Sequence, residues 1–200
     1  MVPFKGKSAI KQYVRGKPHP WGFKLWGEAG SSGILYDFDV YQGSKDGKRR
    51  PPSPLGLGGD IVMQMTSTLP VRNNFTIFAD YFFSSLGLAK ALKEKDLLLV
   101  GTYRANSVKG CDLKNEQSLK KPGRRSCFQK VEMGSNIVAA RWYDNKTVDL
   151  MSSYVGKDPL KEVSRYDQKK KIRIPCPAVV KEYNQFMGGI DLLDALKALY

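Results

Sequence analysis

Apolar and polar side chains alternate along two stretches near the start of the chain. Large apolar residues alternate with smaller or polar ones through much of residues 21–29, and β-favouring residues resume over residues 34–41. The Gly/Ser segment between them is typical of a turn, so the pattern predicts a β-hairpin. Asp37 and Asp39 share one face of this hairpin. We expect that face to be solvated, which disfavours a metal-binding role for the pair.

Strand and helix patterns alternate over the next part of the chain. Residues 75–79 form a short apolar run typical of a buried strand, residues 85–94 show the spacing of a helix, and residues 96–103 form a second apolar run. This order predicts parallel strands covered by a helix. Helical spacing on either side of this region predicts further helices over residues 60–69 and 178–187, followed by an apolar stripe from Ile190 to Leu199.

The segment from residue 107 to residue 176 has a different character. Its lysine-rich, Pro- and Gly-containing spans surround three short β-like runs, at residues 127–133, 137–143 and 147–151. The pattern predicts a small β-meander with basic loops. We interpret it as an insertion into the surrounding α/β pattern.

Composition and charge narrow the functional classes. The 200 residues are 42% hydrophobic and 26% charged, which favours a globular protein with a core. No apolar run is long enough to span a bilayer and the N-terminus lacks the pattern of a signal peptide, so we expect no membrane partner. The net charge is +14, which favours nucleic acid. Three widely spaced cysteines predict neither a disulfide framework nor a zinc site.

Three aspartates are candidates for metal chemistry. Asp80 follows an apolar strand, and the carboxyl edge of an α/β sheet is where sites of this class usually form. Asp191 and Asp194 are three positions apart on the last helix, beside a diglycine that allows close backbone approach. The alternative is structural: a loop or helix-capping role for Asp80, and stabilisation of the first helical turn by Asp191 and Asp194.

Five sequence blocks, in order, span nearly the whole chain. They are FKGKSAIKQY at 4–13, KPHPWGFK at 17–24, FADYFFS at 78–84, GTYRAN at 101–106 and KEYNQFMGGID at 181–191. The last block is the most specific. Together they resemble the transposase domain of piggyBac transposable element-derived proteins.

The resemblance implies an RNase H-like mixed sheet flanked by helices, with a β-rich insertion. The domains expected from it are a first part of the core over residues 1–106, the basic insertion over residues 107–176, and a core helix over residues 177–200. Asp80 and Asp191 would be catalytic and would bind Mg²⁺ or Mn²⁺ together with Asp194. Two ions that share these ligands would bring the Asp80 and Asp191 carboxylates within roughly 8 Å of each other.

The family's chemistry is two-metal DNA cleavage and transfer, but its first catalytic aspartate lies about three residues before the block that opens this chain. We therefore expect a domain truncated at both ends and inactive as given. An active enzyme, a domesticated DNA-binding remnant and a decayed fragment all stay open. We also expect a nuclear location and a homodimer like that of transposases. The basic run from Lys169 to Arg173 is either a nuclear import signal or a solvated loop. The cations expected to contact DNA are Lys120, Lys121, Arg124, Arg125, Lys169, Lys170, Lys171 and Arg173.

Overall fold

The structure is a computed structural model that describes residues 1–43, 53–70, 73–104, 108, 110–122, 126–167 and 170–199. The chain divides into two units. The first unit consists of Met1–Ser53 and Gly188–Tyr200, and the second is Pro54–Met187. Within the described residues, no helix is long and apolar enough to cross a bilayer.

The first unit contains short strands and one helix. Three strands form a small antiparallel sheet in the order β1-β3-β2, and two form the hairpin β4-β5. The helix packs on β4. The elements are β1 (Val2–Pro3), β2 (Gln12–Tyr13), β3 (Trp21–Phe23), β4 (Leu25–Ala29), β5 (Leu35–Val40) and α5 (Gly189–Lys197).

The second unit is built on a five-stranded mixed sheet in the order β6-β7-β10-β9-β8. Only the β6-β7 pair is parallel in this sheet, and a separate two-stranded ribbon is formed by β11 and β12. The elements are α1 (Gly56–Met65), β6 (Thr76–Ala79), α2 (Leu86–Lys93), β7 (Leu98–Thr102), α3 (Glu116–Lys120), β8 (Cys127–Glu132), β9 (Ile137–Tyr143), β10 (Thr147–Ser152), β11 (Lys161–Asp167), β12 (Lys170–Cys176) and α4 (Ala178–Phe186).

Both faces of the five-stranded sheet are covered. Successive residues of a strand point to opposite faces, so Leu99 packs with α2 on one face while Val100 packs with α4 and β12 on the other. The same alternation separates Ala139 from Ala140. The strands of this sheet therefore lie between two apolar layers, as expected for an α/β sheet.

The structure confirms the strand–helix–strand prediction, because β6 and β7 are parallel and α2 lies between them in the chain. The hairpin is confirmed as β4-β5, but its first strand is shorter than predicted. The strand is interrupted at Lys24, and residues 21–23 form β3, which pairs with β1 and β2 instead. The strands β1 and β2 have only two residues each, which is too short to show an alternation of apolar and polar positions.

The helix before β6 begins earlier than the apolar spacing alone predicts. The pattern placed it over residues 60–69, whereas α1 begins at Gly56 and a 3-10 turn follows over Thr66–Thr68. Glycine has poor helix propensity, which hides the first turn. Tertiary packing explains why a glycine occurs here, because a Cβ on Gly58 would collide with the backbone carbonyl of Phe82.

The predicted meander is confirmed as β8-β9-β10, each strand antiparallel to the next. The last strand pairs with β7, so the meander extends the same sheet that contains β6. The three predicted domain boundaries stay a prediction.

Candidate functional site

Asp80 lies directly after β6, in a turn that fixes its carboxylate. The Phe82 backbone N–H donates to Asp80 Oδ1 over 2.8 Å, and the Phe83 and Ser84 N–H groups donate to the Asp80 carbonyl over 3.2 and 3.1 Å. Ser85 then caps α2 by accepting from the Leu88 N–H. The half-buried carboxylate is thus held at the carboxyl edge of the parallel pair, where the sequence predicts it.

Gly101 supports this turn from the neighbouring strand. It is the register partner of Ala79, and a Cβ added to it would lie 2.6 Å from the Ala79 carbonyl oxygen and would also collide with Ser84 Oγ. Ser84 is buried, and its hydroxyl donates to the Asp80 carbonyl over 3.0 Å. Sequence reasoning did not assign a role to Gly101. A glycine inside an apolar strand is the signal that indicates such close packing.

A cation lies at the same edge of the sheet. Arg104 follows β7, and its guanidinium carbon is 4.7 Å from the centroid of the exposed Tyr81 ring. Stacking on an aromatic ring leaves the N–H groups at the edge of a guanidinium available to anions. A carboxylate and a cation therefore follow two neighbouring parallel strands at this edge of the sheet.

Asp191 and Asp194 are exposed on α5 in the first unit. Asp191 lies in the first turn of this helix, and the Asp194 carbonyl accepts from Ala198 N–H near its end. The predicted close backbone approach at the diglycine is confirmed for Gly189, where an added Cβ would lie 2.5 Å from the Gly30 carbonyl oxygen.

The predicted acids are divided between the two units. Asp80 belongs to the second unit, whereas Asp191 and Asp194 belong to the first. Over the part of the chain that the structure describes, no group of three or more His, Cys, Asp or Glu side chains could hold a metal ion. The close approach of Asp80 to Asp191, and the shared metal site, stay predictions.

Asp37 lies on β5 opposite Glu28 on β4. Burial of the Glu28 carboxyl, and to a lesser extent the Asp37 charge, raise the pKa of Glu28. Both effects disfavour the negatively charged form of the carboxyl. Glu28 is therefore an additional acid on this hairpin that sequence reasoning did not consider.

The structure describes five of the eight predicted DNA-binding cations. Lys120, at the end of α3, pairs with Glu116 over 2.7 Å, and Lys121 is exposed directly after it. The other three are exposed on β12: Lys170, Lys171 and Arg173. Arg124, Arg125 and Lys169 lie outside the described residues.

Comparison with known protein families identifies the family of this chain. A family model described as transposase IS4 matches residues 1–200. The chain belongs to this transposase family.

Its relatives include piggyBac-derived proteins. The human PiggyBac transposable element-derived protein 3 is 36% identical over 200 residues, which cover 97% of this chain and 33% of that protein. The human PiggyBac transposable element-derived protein 2 is 34% identical over 204 residues, which cover 100% of this chain and 34% of that protein. The chain spans about a third of the length of these relatives. It is a piggyBac transposase-derived domain, as its sequence blocks predict.

A solved structure shares the fold. A piggyBac transposase in a synaptic complex with hairpin DNA superposes with a TM-score of 0.72 at 22% identity, covering 98% of this chain and 38% of that one. The predicted RNase H-like α/β fold is thereby confirmed.

Proposed function

We propose that this chain is a transposase-derived domain that binds DNA through the cations of its second unit. The observation that carries the proposal is the family match over residues 1–200 together with a net charge of +14. The similar solved structure is a transposase bound to hairpin DNA, which supports DNA as the polyanion.

The second unit contains the larger part of the net charge. Residues 54–187 contain 22 basic and 13 acidic side chains, a net charge of +9. Some of these charges neutralise each other in ion pairs, such as Asp149 with Arg141 over 2.6 Å and Glu132 with Lys90 over 3.1 Å. Cations that contact phosphates release condensed counterions, which favours binding to DNA of any sequence.

Asp80 is suited to hold a divalent cation. Carboxylate oxygens are the ligands that Mg²⁺ prefers, and only one oxygen of this carboxylate has a hydrogen bond from the described residues. We propose that Asp80, Asp191 and Asp194 are the positions that would hold Mg²⁺ or Mn²⁺. When bound, such ions activate a nucleophilic oxygen and stabilise the leaving oxygen of a phosphodiester.

We further propose that these 200 residues do not cut DNA by themselves. The resemblance assigns three catalytic carboxylates to the family and two of them, Asp80 and Asp191, to this stretch. Loss of one metal ligand removes charge stabilisation that lowers the barrier by several kcal/mol. The chain would then act as a binding domain.

The experiment has two parts. Incubation of the purified chain with supercoiled plasmid and Mg²⁺ or Mn²⁺ should give no nicking above that of Asp80→Ala, whereas a labelled duplex should bind both proteins equally in fluorescence anisotropy. Metal-dependent nicking that Asp80→Ala abolishes would contradict the loss of catalysis. Absence of binding at low salt would contradict the DNA-binding role and favour a decayed fragment.

A nuclear location is part of the same proposal. The run from Lys169 to Arg173 has the composition of a nuclear import signal. A fluorescent fusion of the chain should concentrate in nuclei, and neutralising the run should reduce that concentration. A homodimer stays a prediction, for which light scattering is the measurement.

A further inference from the structure

The ribbon β11-β12 has an inner face that is fixed by packing. The two strands pair in register at seven positions, from Lys161 opposite Cys176 to Asp167 opposite Lys170. Three side chains of this face pack against the apolar cluster that contains Trp142, Val180 and Leu150. They are Val163, Ile172 and Ile174.

Because cross-strand partners share a face and neighbours along a strand do not, the other residues form an outer face. Tyr166 lies there as a residue that is 74% exposed, directly opposite the exposed Lys171. Two positions along, Ser164 lies opposite Arg173, whose side chain is 78% exposed. One face of the ribbon therefore presents an aromatic ring beside two cations.

The cations of the two faces have different partners. Arg165 belongs to the inner face and pairs with Asp144 over 3.5 Å, where the Asp144 side chain is only 14% exposed. Arg173 on the outer face pairs with Glu162 over 3.5 Å, and both of these side chains are mostly exposed. An exposed ion pair of this kind is weak, so a phosphate can compete with Glu162 for the guanidinium.

We propose that the outer face of β11-β12, formed by Tyr166, Lys171 and Arg173, is a duplex-DNA contact surface that lies in the major groove, and that Glu162 limits its affinity. The inference rests on the proposed DNA-binding function and names the surface and the mode of contact. A strand of seven residues is about 23 Å long, and the major groove, about 12 Å wide, admits a two-stranded β-ribbon.

The chemistry of the three outer residues fits that groove. Lys171 and Arg173 can reach phosphates at the groove edge or guanine acceptors within it. The Tyr166 ring supplies an apolar surface with a polar tip, which suits contact with sugars and base edges. The minor groove, about 6 Å wide, does not admit two paired strands.

The test uses the full chain and a labelled duplex of about 20 base pairs, with affinity measured by anisotropy across salt concentrations. Neutralising both cations (Lys171→Gln with Arg173→Gln) should reduce the magnitude of the log–log salt slope by about 1.8, or about 0.9 for each lost phosphate contact. Tyr166→Ala should weaken binding about threefold at every salt concentration without changing the slope, because tyrosine carries no charge.

The chain offers a matched control. Lys93 and Lys95 are exposed at the end of α2, which packs on the sheet face opposite to the one that contacts β12. Neutralising this pair removes the same charge and should leave the slope unchanged. If both pairs change the slope equally, binding depends on total charge and the ribbon has no special role.

Glu162→Gln gives a test in the opposite direction. Removing this carboxylate frees Arg173 and deletes a charge that repels phosphate, so affinity should rise about two- to fivefold at 50 mM salt. Unchanged or weaker binding by a variant with the circular dichroism spectrum of the original chain would contradict a contact between Arg173 and DNA. Since loss of folding cannot strengthen binding, this variant separates the proposal from misfolding.

The groove is identified by chemical protection of guanine N7, which is accessible only from the major groove. The chain at a saturating concentration should reduce the methylation of guanine N7 by dimethyl sulfate. A variant that combines Tyr166→Ala, Lys171→Gln and Arg173→Gln should give no such protection when it occupies the same fraction of the duplex. Full methylation at saturation overturns groove docking, and so does a preference for single strands over duplex.

If duplex binding persists but no ribbon variant affects it, only this inference fails. If the chain does not bind DNA at all, the proposed function fails with it.

Discussion

The two units of this chain bury their apolar residues very differently. In the second unit Leu88, Leu92 and Leu99 are fully buried and the sheet has an apolar layer on each face. Among the described residues of the first unit, Trp26 is the one large apolar side chain below a tenth exposure, while Tyr36 and Phe38 on β5 are more than half exposed. The second unit thus has an extensive apolar core, whereas the described part of the first has short strands and few buried apolar side chains.

The largest expected loss of stability comes from a cavity in the core of the second unit. Leu99→Ala should lower the free energy of unfolding by about 3 kcal/mol, because the fully buried site loses apolar contacts and cannot collapse completely. The measurement is urea denaturation followed by circular dichroism. Leu35→Ala is the matched control in the first unit, where the side chain is 40% exposed, and it should cost less than about 1 kcal/mol. Equal costs would contradict the contrast between the units.

The next effect concerns the support behind Asp80. Gly101→Ala should destabilise the second unit by about 2 kcal/mol, since its new Cβ collides with Ser84 and with the Ala79 carbonyl. The same denaturation experiment measures it. Amide exchange should also quicken at Phe82, whose N–H holds the Asp80 carboxylate. If Gly101→Ala is neutral in both measurements, the turn does not depend on that close packing.

In the first unit, the diglycine offers a smaller and internally controlled test. Gly189→Ala should cost about 1 to 2 kcal/mol, because the Cβ would meet the Gly30 carbonyl and force α5 away from the hairpin. Gly188→Ala meets nothing within 4 Å and has φ of −78°, so it should be neutral or slightly stabilising. Thermal unfolding of the two variants gives the comparison. Similar behaviour of both would indicate that α5 does not require this approach.

The smallest effect is a pH dependence confined to the first unit. Because the folded-state pKa of Glu28 is raised above 4.5 by burial and by Asp37, the folded state binds this proton more tightly than the unfolded chain. The stability due to Glu28 is therefore complete below pH 4.5 and is lost as the pH rises through the folded-state pKa.

Glu28→Gln should remove that dependence and stabilise the unit at pH 7, by less than about 1 kcal/mol because solvent screens a half-buried group. Melting temperatures between pH 4 and pH 7 measure the difference. A variant whose melting temperature falls with pH as steeply as that of the original chain would contradict the assignment to Glu28.

The contrast between the units also explains how far the sequence could be interpreted. Long apolar periods in the second unit predicted β6, α2 and β7 because the residues on each face of a buried sheet or helix repeat regularly. The two-residue strands β1 and β2 have no period to detect, and Lys24 interrupts a pattern that looked continuous. Glycine-rich helix starts such as that of α1 run against propensity and depend on tertiary packing.

The candidate site shows the same limit. The position of Asp80 at the end of a strand was predictable from the apolar run before it, and the position of Asp191 on a helix from the spacing after the diglycine. Their metal-binding role stays a prediction. The support behind Asp80 was not predictable, because the contact between Gly101 and Ser84 joins residues that only the fold brings together. Tyr166 escaped notice for a similar reason, since cross-strand register decides which cations share its face.

The most direct test of DNA binding by this domain is a salt titration of its affinity for duplex DNA, measured by fluorescence anisotropy from about 50 to 200 mM salt. If six to eight cations reach phosphates, the log–log slope should be about −5 to −7. Charge reversal at Lys120, Lys121, Arg124 and Arg125 should flatten that slope, while Asp80→Ala should leave it unchanged or slightly steeper. Binding that is absent at 50 mM salt, or that does not respond to salt, would contradict the DNA-binding role of this domain.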